Sequence, residues 1–438
     1  MNSVYKFFLD SKDRDKSGVI WNTAANMIFG FQSLLINIVL RMVVDLSMSG
    51  IFTIGFSNAT LFLMIGKYGM RDYQVSDINE KFSFYDYRSA KYFTTFLMIV
   101  VSLIYTTYAS INNSYSLFKA TAMILICFLK THDAIEDVYY CHYLKNKRLD
   151  IAGKLMFTRL MLTIVAFSIA IVISRNLVVA LVVANIVSLF LLVFSIVKIF
   201  PKSGVKDCDL KMFSNKRSSG SAPMPKAKIR SILSVGFPLF LGVFLAYYVT
   251  AASKIAVDSQ MNDDIMAIYG FLTMPLFVIS LMNTIIFTPQ MLGVVNSWEK
   301  RDLKAFFKSM WRQILIILLL TVACVCGAWL LGVPVLSIVF NTDLAPYKTE
   351  LLILLVGGGL LALSEFLVIM ATLIRFQKAT AIGYIIGGVC AFFVSTPMVK
   401  HYGIRGAANS YVLLTGLLCL CFSIIFAIGY KKRVGEKV

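Results

Sequence analysis

Long apolar segments separated by short polar ones run through nearly the whole chain. A helix that crosses a bilayer core needs about 20 apolar residues, and twelve segments reach or approach that length. They lie near Val19–Val44, Ile51–Lys67, Tyr92–Ala109, Leu117–Tyr140, Leu155–Ser174, Leu177–Phe200, Ile229–Ala256, Ile265–Phe287, Phe306–Leu331, Leu351–Ile374, Ala379–Pro397 and Gly406–Tyr430. The pattern predicts an all-α polytopic membrane protein with twelve transmembrane helices.

One long polar interval, residues 201–228, interrupts this pattern. It is rich in lysine, arginine, serine and proline, the composition of a solvated segment that cannot form a core. Six apolar segments precede it and six follow it. We therefore predict two six-helix bundles, residues 1–200 and 229–438, joined by a linker at 201–228.

Composition excludes a soluble globular protein, because 58% of the residues are hydrophobic and only 15% are charged. A net charge of +19 would suggest nucleic acid in a soluble chain, but here the cations lie in short loops between apolar segments. Membrane lipids are therefore the expected partner, and nucleic acid is not. The cysteines are scattered without a C-x-x-C pair or a histidine cluster, so we expect no metal site and no cofactor.

The basic residues also set the orientation. Most of the 42 lysines and arginines fall on one side if both termini are cytoplasmic, which is the bias that cytoplasmic loops show. The first eighteen residues are charged and lack a short apolar region with a cleavage site, so we expect no removable signal peptide. The expected location is the cytoplasmic membrane, with multiple passes and both termini inside.

The two halves show signs of an internal repeat. When Arg41 is aligned with Lys254, Asp45 falls on Asp258, and each set lies at the outer end of the first helix of its half. Six helices per half make both copies enter the membrane in the same direction, so the repeat axis lies along the membrane normal. This architecture predicts a cavity between two bundles.

The aligned charges have two interpretations. Arg41 and Asp45 are four residues apart, as are Lys254 and Asp258, which would place each pair on one helix face within salt-bridge reach. They could be interfacial ion pairs with snorkelling side chains. Alternatively, Arg41 and Lys254 face each other across the cleft and hold an anionic group near its outer mouth.

Glu365 lies deep within its predicted helix. A buried carboxylate stays charged only when it is paired, and ionisable residues within the membrane often mark ion pathways. We predict either a proton or cation site that couples transport or a structural hydrogen bond.

Further charges follow helical spacing at the inner end of the fourth helix. Lys130, Asp133, Glu136 and Tyr140 lie there, with Arg159 on the fifth helix. We interpret this group as a solvated helix end, with a substrate vestibule that includes Arg159 as the alternative.

Polar residues and prolines also occur inside the apolar segments. A helix facing only lipid would have no hydrophilic stripe, and proline can bend a helix that needs to flex. The stripe on the first helix consists of Asn22, Asn26, Gln32, Ser33 and Asn37, and the prolines are Pro238, Pro275, Pro334 and Pro397.

Several short motifs resemble those of the polysaccharide flippases, a family within the superfamily of multidrug, lipid-linked oligosaccharide and polysaccharide exporters. The resemblance covers most of the chain, although the motifs are short and specify the family better than the substrate. They are the run Gly66–Asp77, Gly236-Phe237-Pro238-Leu239, Tyr269-Gly270-Phe271, Phe287-Thr288-Pro289 and His401-Tyr402-Gly403-Ile404-Arg405-Gly406-Ala407-Ala408.

The resemblance implies two six-helix bundles around a central cationic cavity and export of undecaprenyl-diphosphate-linked oligosaccharide or polysaccharide repeat units by alternating access. Glycosyltransferases and a polymerase of the same pathway are then the expected protein partners. The chain lacks the thirteenth and fourteenth helices of the larger lipid II flippases, which argues against a peptidoglycan precursor as cargo.

Two other functional classes remain open. A twelve-helix secondary transporter of small solutes or drugs has the same layout, but the loop after Gly66 lacks the G-x-x-x-D-R/K-x-G-R-R/K motif that is usual in such facilitators. A membrane glycosyltransferase or polymerase would need catalytic carboxylates or histidines in a large aqueous loop. The longest loop here is basic and the histidines are His132, His142 and His401, so we expect no enzyme.

Overall fold

The computed structural model describes residues 2–77, 81–205, 225–287 and 291–435, and every regular element in these ranges is a helix. The chain divides into two compact units, Met1–Phe240 and Leu241–Val438. The predicted division at 201–228 stays a prediction, because most of that interval lies outside the described residues.

The first unit contains eight complete helices and the beginning of a ninth. They are α1 (Asn2–Leu9), α2 (Arg14–Val43), α3 (Leu46–Lys67), α4 (Met70–Ser76), α5 (Phe84–Asn112), α6 (Leu117–Lys145), α7 (Leu149–Ser174), α8 (Leu177–Phe194) and α9 (Pro225–Gln260). A π-helical turn, Ser195–Ile199, and a 3-10 turn, Phe200–Lys202, extend α8.

The second unit begins within α9 and continues to the end of the chain. Its other helices are α10 (Asp263–Thr273), α11 (Leu276–Phe287), α12 (Met291–Glu299), α13 (Leu303–Gly327), α14 (Val333–Val339), α15 (Lys348–Leu373) and α16 (Gln377–Gly435).

These elements account for the predicted twelve membrane helices. Among the described residues, nine helical stretches are long and apolar enough to cross a membrane on their own. The other three crossings are α6, the broken pair α10–α11 and the second half of α16. One half of α6 carries charged residues. The two halves of α16 meet at Gly403, which has φ 58° and ψ −139°.

Four prolines lie at helix breaks or inside long helices of the second half of the chain. Pro275 lies between α10 and α11, so one predicted helix is broken there. Pro334 follows a π-helical turn, Ala328–Gly332, while Pro238 and Pro397 lie inside α9 and α16. Proline lacks the N–H that a helix interior needs. The positions of these four prolines confirm the prediction that they lie within or beside membrane helices.

Close approach of α2 and α7 forms the centre of the first unit. A Cβ on Gly153 of α7 would lie 2.6 Å from the backbone nitrogen of Asn22 on α2, so only glycine fits at this crossing. Part of the polar stripe of α2 is buried, at Gln32 and Asn37, whereas Asn26 is exposed. The structure thus confirms that α2 does not face lipid alone.

The short helix α1 is an element that the apolar pattern did not predict. The buried Lys154 ammonium donates to the carbonyls of Phe7 and Asp10 at 2.7 and 3.1 Å, and Arg148 donates to the Leu9 carbonyl at 2.7 Å. These carbonyls are the acceptors left open at a helix C-terminus, where cations are also favoured. The two cations therefore dock the N-terminus on the start of α7.

The first turns of α9 pack on the first unit. Ile232 is buried in an aromatic core with Tyr139 and Phe200, and the Lys228 ammonium lies 3.2 Å from the Asp86 carboxylate. A compact apolar cluster in the second unit includes Val249, Leu414 and Phe422. The helix α9 therefore contributes to the cores of both units.

Candidate functional site

A buried ionic network lies among α2, α6 and α7 of the first unit. Arg159 Nη2 on α7 donates to Asp133 Oδ1 at 2.6 Å and to Glu136 Oε2 at 2.7 Å, both on α6. Lys130 Nζ donates to Asp133 Oδ2 at 3.0 Å and to Gln32 Oε1 on α2 at 2.8 Å. The network therefore ties α2, α6 and α7 together.

The interpretation of these residues as a solvated helix end is wrong. Lys130 is 1% exposed, Arg159 3% and Asp133 7%. The charges along α6 follow the spacing of a solvated face, but α2 and α7 enclose that face.

Neighbouring polar groups complete the network. Arg159 Nη1 donates to the Ser188 hydroxyl at 3.1 Å, and that hydroxyl lies 3.0 Å from His132 Nδ1. The predicted role of Arg159 in substrate binding stays a prediction, but two carboxylates already compensate its charge.

A second buried pair lies one turn further along α6. Lys91 Nζ on α5 donates to Asp137 Oδ2 at 2.9 Å and to the Lys67 carbonyl at 3.0 Å. The pair was not predicted, because Lys91 lies in the polar interval just before the predicted segment Tyr92–Ala109. The available signal was that Asp137 follows Asp133 by one helical turn.

Two half-buried cations close to these pairs contact aromatic rings. The Lys67 ammonium lies 5.0 Å from the ring centroid of Phe29, and the Arg71 guanidinium lies 4.4 Å from that of Tyr140. The Tyr140 hydroxyl donates to Asn22 Oδ1 on α2. Aromatic faces attract cations, so the rings hold both side chains in place.

The turn between α3 and α4 positions these cations. Tyr68 and Gly69 adopt φ of 51° and 61°, and a Cβ on Gly69 would lie 3.0 Å from that of Leu239. This left-handed conformation and close approach favour glycine. The turn directs Lys67, at the end of α3, and Arg71, at the start of α4, into the same region.

Asp77, directly after α4, binds residues at and before the start of α5. Its carboxylate accepts hydrogen bonds from the backbone N–H groups of Lys81 and Phe82 and from the Tyr87 hydroxyl, at 3.0, 3.2 and 2.9 Å. Burial alone would raise the pKa of Asp77, but these donors and the charge of Lys145 hold it below its usual value. A charged carboxylate therefore joins the end of α4 to the start of α5.

The pairing proposed for Arg41 and Asp45 differs from the structure. Helix α2 ends at Val43 and Asp45 is the N-cap of α3, so the expectation that both share one helix face is wrong. The signal for that break was weak, since only the short polar residues after Val44 suggest a turn. Arg41 Nη1 instead donates to the Val44 carbonyl at 3.1 Å, and Asp45 is exposed.

The second pair does lie on one helix. Lys254 and Asp258 are one turn apart on α9, with Lys254 half-buried and Asp258 5% exposed. Within the described residues, Lys254 forms neither a hydrogen bond nor an ion pair.

Tyrosines surround Glu365 in the second unit. It interacts electrostatically with Tyr247 of α9 and with Tyr384 and Tyr411 of α16. Its side chain is exposed, and in the described part of the chain no hydrogen bond reaches its carboxylate. The predicted structural hydrogen bond is therefore not formed there, and the carboxylate lies at an accessible position beside aromatic hydroxyls.

Tyr247 lies beside Glu365 and on the same helix as Lys254. Tyr247 and Lys254 are seven residues apart on α9, two helical turns and about 10 Å along the axis, and so lie on the same face. The face that carries Lys254 also carries the tyrosine beside Glu365.

Comparisons with known proteins give similarity at the level of structure. No protein-family model and no curated protein matches the sequence. A multidrug resistance transporter of the MATE family in an inward-facing conformation matches with a TM-score of 0.67 at 13% identity, covering 95% of this chain and 98% of its own. The fold is that of the MOP superfamily transporters.

Two further MOP superfamily structures match over the same length. One is an outward-facing MATE family multidrug resistance transporter, with a TM-score of 0.54 at 15% identity. The other is a transporter from Pyrococcus furiosus whose binding pocket has reversed polarity, with a TM-score of 0.53 at 15% identity. Both cover 98% of this chain and 98% of their own. At these identities the similarity establishes the MOP fold alone.

Proposed function

We propose that this protein is a membrane transporter that works by alternating access. The observation that carries the proposal is the match, over at least 95% of the chain, to both inward-facing and outward-facing structures of one transporter fold. A fold that is stable with its substrate path open to either side suits transport across the bilayer. On this proposal the chain carries a substrate and performs no catalysis.

We further propose that the cargo is an undecaprenyl-diphosphate-linked oligosaccharide or polysaccharide repeat unit. Support comes from Lys254, which has no hydrogen bond or ion pair in the described residues, and from the flippase motifs Gly66–Asp77 and Gly236–Leu239. A diphosphate carries at least two negative charges, and a cation in a low-dielectric environment attracts it far more strongly than a cation in water. Arg41 contributes a second positive charge on this proposal, with Asp45 and Asp258 modulating the two cations.

Glu365 has the proposed role of coupling transport to an ion. Its accessible carboxylate, without a hydrogen bond in the described residues, is free to bind and release a proton or a small cation. Glycosyltransferases and a polymerase of the same pathway are the proposed partners. The proposed location is the cytoplasmic membrane with both termini inside.

A second candidate function is the export of organic cations or drugs. The observation that favours it is the group formed by Glu365 and its three tyrosines, because a carboxylate among aromatic rings is a suitable site for an organic cation. The matched multidrug transporters agree with this candidate.

Transport by the purified protein in liposomes distinguishes the two functions. A glycan on a polyprenyl diphosphate is placed in the inner leaflet, and its arrival in the outer leaflet is followed with a lectin added outside. A fluorescent organic cation replaces it in a parallel series. Lectin binding that exceeds that of protein-free liposomes supports the flippase, whereas movement of the organic cation alone supports drug export.

A further inference from the structure

Among the described residues in and near the buried network of the first unit, cations outnumber carboxylates. Asp137 interacts electrostatically with Lys91, Lys67 and Arg71, and Lys130 with Lys67, so the groups form one cluster. Its described members are the cations Lys67, Arg71, Lys91, Lys130 and Arg159 and the carboxylates Asp133, Glu136 and Asp137.

Hydrogen-bonded ion pairs account for three of these cations. Lys91 pairs with Asp137, and Lys130 and Arg159 share Asp133, with Glu136 also bound to Arg159. Lys67 and Arg71 are the remaining two. Within the described residues neither forms an ion pair, and their close partners are the Phe29 ring and Tyr140.

These two cations, which form no ion pair in the described residues, are also partly accessible. Both are half-buried, unlike the fully buried Lys91 and Lys130. An aromatic ring or a hydroxyl lowers the cost of burying a cation but does not neutralise it. An anion that reached Lys67 and Arg71 would therefore gain attraction in a low-dielectric environment without first breaking an ion pair.

Two ammonium groups lie close to the same aromatic ring. The ammonium groups of Lys67 and Lys130 lie 5.0 and 4.8 Å from the Phe29 ring centroid. Arg71 adds a planar guanidinium that can donate two parallel hydrogen bonds to phosphate oxygens. The turn at Tyr68 and Gly69 sets the positions of Lys67 and Arg71 on either side of it.

We propose that Lys67 and Arg71 form an anion site for a phosphate or diphosphate group. The inference deepens the proposed function and rests on it, because it adds a docking site on the predicted cytoplasmic side, where the headgroup of a lipid-linked substrate first meets the protein. The buried network beneath the site fixes α2, α3, α5 and α6, so the two cations are presented on a stable surface.

Binding to the full chain in nanodiscs tests the site directly. The nanodiscs contain only phosphatidylcholine, and the probe is a fluorescent polyprenyl diphosphate. We expect the double variant Lys67→Ala/Arg71→Ala to bind at least about tenfold more weakly than the unchanged protein, since each lost contact is charge-assisted. Lys81→Ala is the matched control, because Lys81 is exposed and lies in the same α3–α5 connection over Phe82. Its affinity should stay within about twofold.

Two competitors identify the recognised group. Displacement of the probe by inorganic pyrophosphate supports recognition of the phosphate groups alone. Displacement only by unlabelled polyprenyl diphosphate supports recognition of the headgroup on its lipid. Equal displacement by uncharged polyprenol contradicts the proposal.

Variants that retain the positive charges distinguish a loss of binding from a loss of folding. Lys67→Arg/Arg71→Lys should retain most of the affinity, and Lys67→Gln and Arg71→Gln carry the comparison if the double alanine variant loses thermal stability. Unchanged affinity in these glutamine variants, or no displaceable binding to the unchanged protein, would overturn the site. If binding follows these cations but the protein moves no glycan in liposomes, the proposed function fails and the anion site stands.

Discussion

The rings of Tyr68 and Phe240 stack in parallel, with centroids 4.5 Å apart and an interplanar angle of 5°. This contact lies within the first unit and packs the middle of α9 on the turn between α3 and α4. The unit boundary falls immediately after Phe240. The covalent connection between the two units therefore passes through α9 itself, two residues beyond Pro238.

Loss of this stack should destabilise the first unit. Tyr68→Ala removes a buried ring and its contact with the Phe240 ring. We therefore expect the free energy of unfolding to fall by about 2 kcal/mol or more. Phe237→Ala is the control on the same helix, because Phe237 is 49% exposed. Thermal unfolding in detergent compares the two, and equal melting temperatures would contradict the role of the stack.

Breaking the buried network should have a much larger effect than breaking a surface pair. Arg159→Met leaves Asp133 and Glu136 without their main partner, and removal of one member of a buried pair costs about 3–5 kcal/mol. Lys16→Ala breaks the exposed pair with Asp13 at 3.7 Å and should cost less than about 1 kcal/mol. Denaturation of the two variants under identical conditions measures the difference. A similar loss in both would mean that the network contributes no special stability.

The extent of this network shows what the sequence could and could not predict. Apolar segment lengths were sufficient for the twelve helices, because each must cross the same thickness of bilayer. Helical spacing also placed Asn22 and Gln32 on one stripe of α2. The spacing of Lys130 and Asp133 could not distinguish water from a neighbouring helix, since the answer depends on tertiary packing.

The candidate sites divide in the same way. The depth of Glu365 within its helix was readable from the sequence, whereas its three tyrosine neighbours come from helices that only the fold brings together. The break between Val43 and Asp45 was missed because no proline or glycine marks it. The short helix α1 was missed because its docking depends on Arg148 and Lys154, which lie far away in sequence.

Glu365→Gln tests ion coupling. The amide keeps the shape of the side chain but cannot carry charge, so we expect normal insertion and thermal stability together with the loss of ion-dependent export. Glu350→Gln is a matched control on α15, since Glu350 is 8% exposed and lies in the first turn. Transport is measured in liposomes across a pH gradient and a sodium gradient. Export by Glu365→Gln that follows either gradient as in the unchanged protein would reduce Glu365 to a structural role.

The orientation of the chain can be tested at the linker. Ser219 lies outside the described residues, in the segment predicted to be cytoplasmic and tolerant of change. In a variant whose native Cys208 is replaced by serine, Ser219→Cys should resist membrane-impermeant thiol reagents in whole cells. Ser114→Cys, in the turn between α5 and α6, is the matched position on the predicted outer side and should react. Labelling at 219 but not at 114 would invert the proposed topology.

The central claim is that cations from both halves of the chain are needed to move a diphosphate. Arg41 and Lys254 are the pair that the sequence repeat aligns, and Lys254 has no ion-pair partner in the described residues. Neither Arg41→Ala nor Lys254→Ala should support normal export, whereas Lys254→Arg should keep partial activity because it retains charge with altered geometry.

The most direct measurement is the amount of lipid-linked glycan on the outer leaflet of cells that carry the double variant Arg41→Ala/Lys254→Ala. Protein level and thermal stability are measured in the same cells, with Arg175→Ala in the α7–α8 connection as the control for loss of a cation. We predict that the double variant accumulates glycan on the cytoplasmic leaflet while the control exports normally. Full export by the double variant at normal protein level would contradict the account.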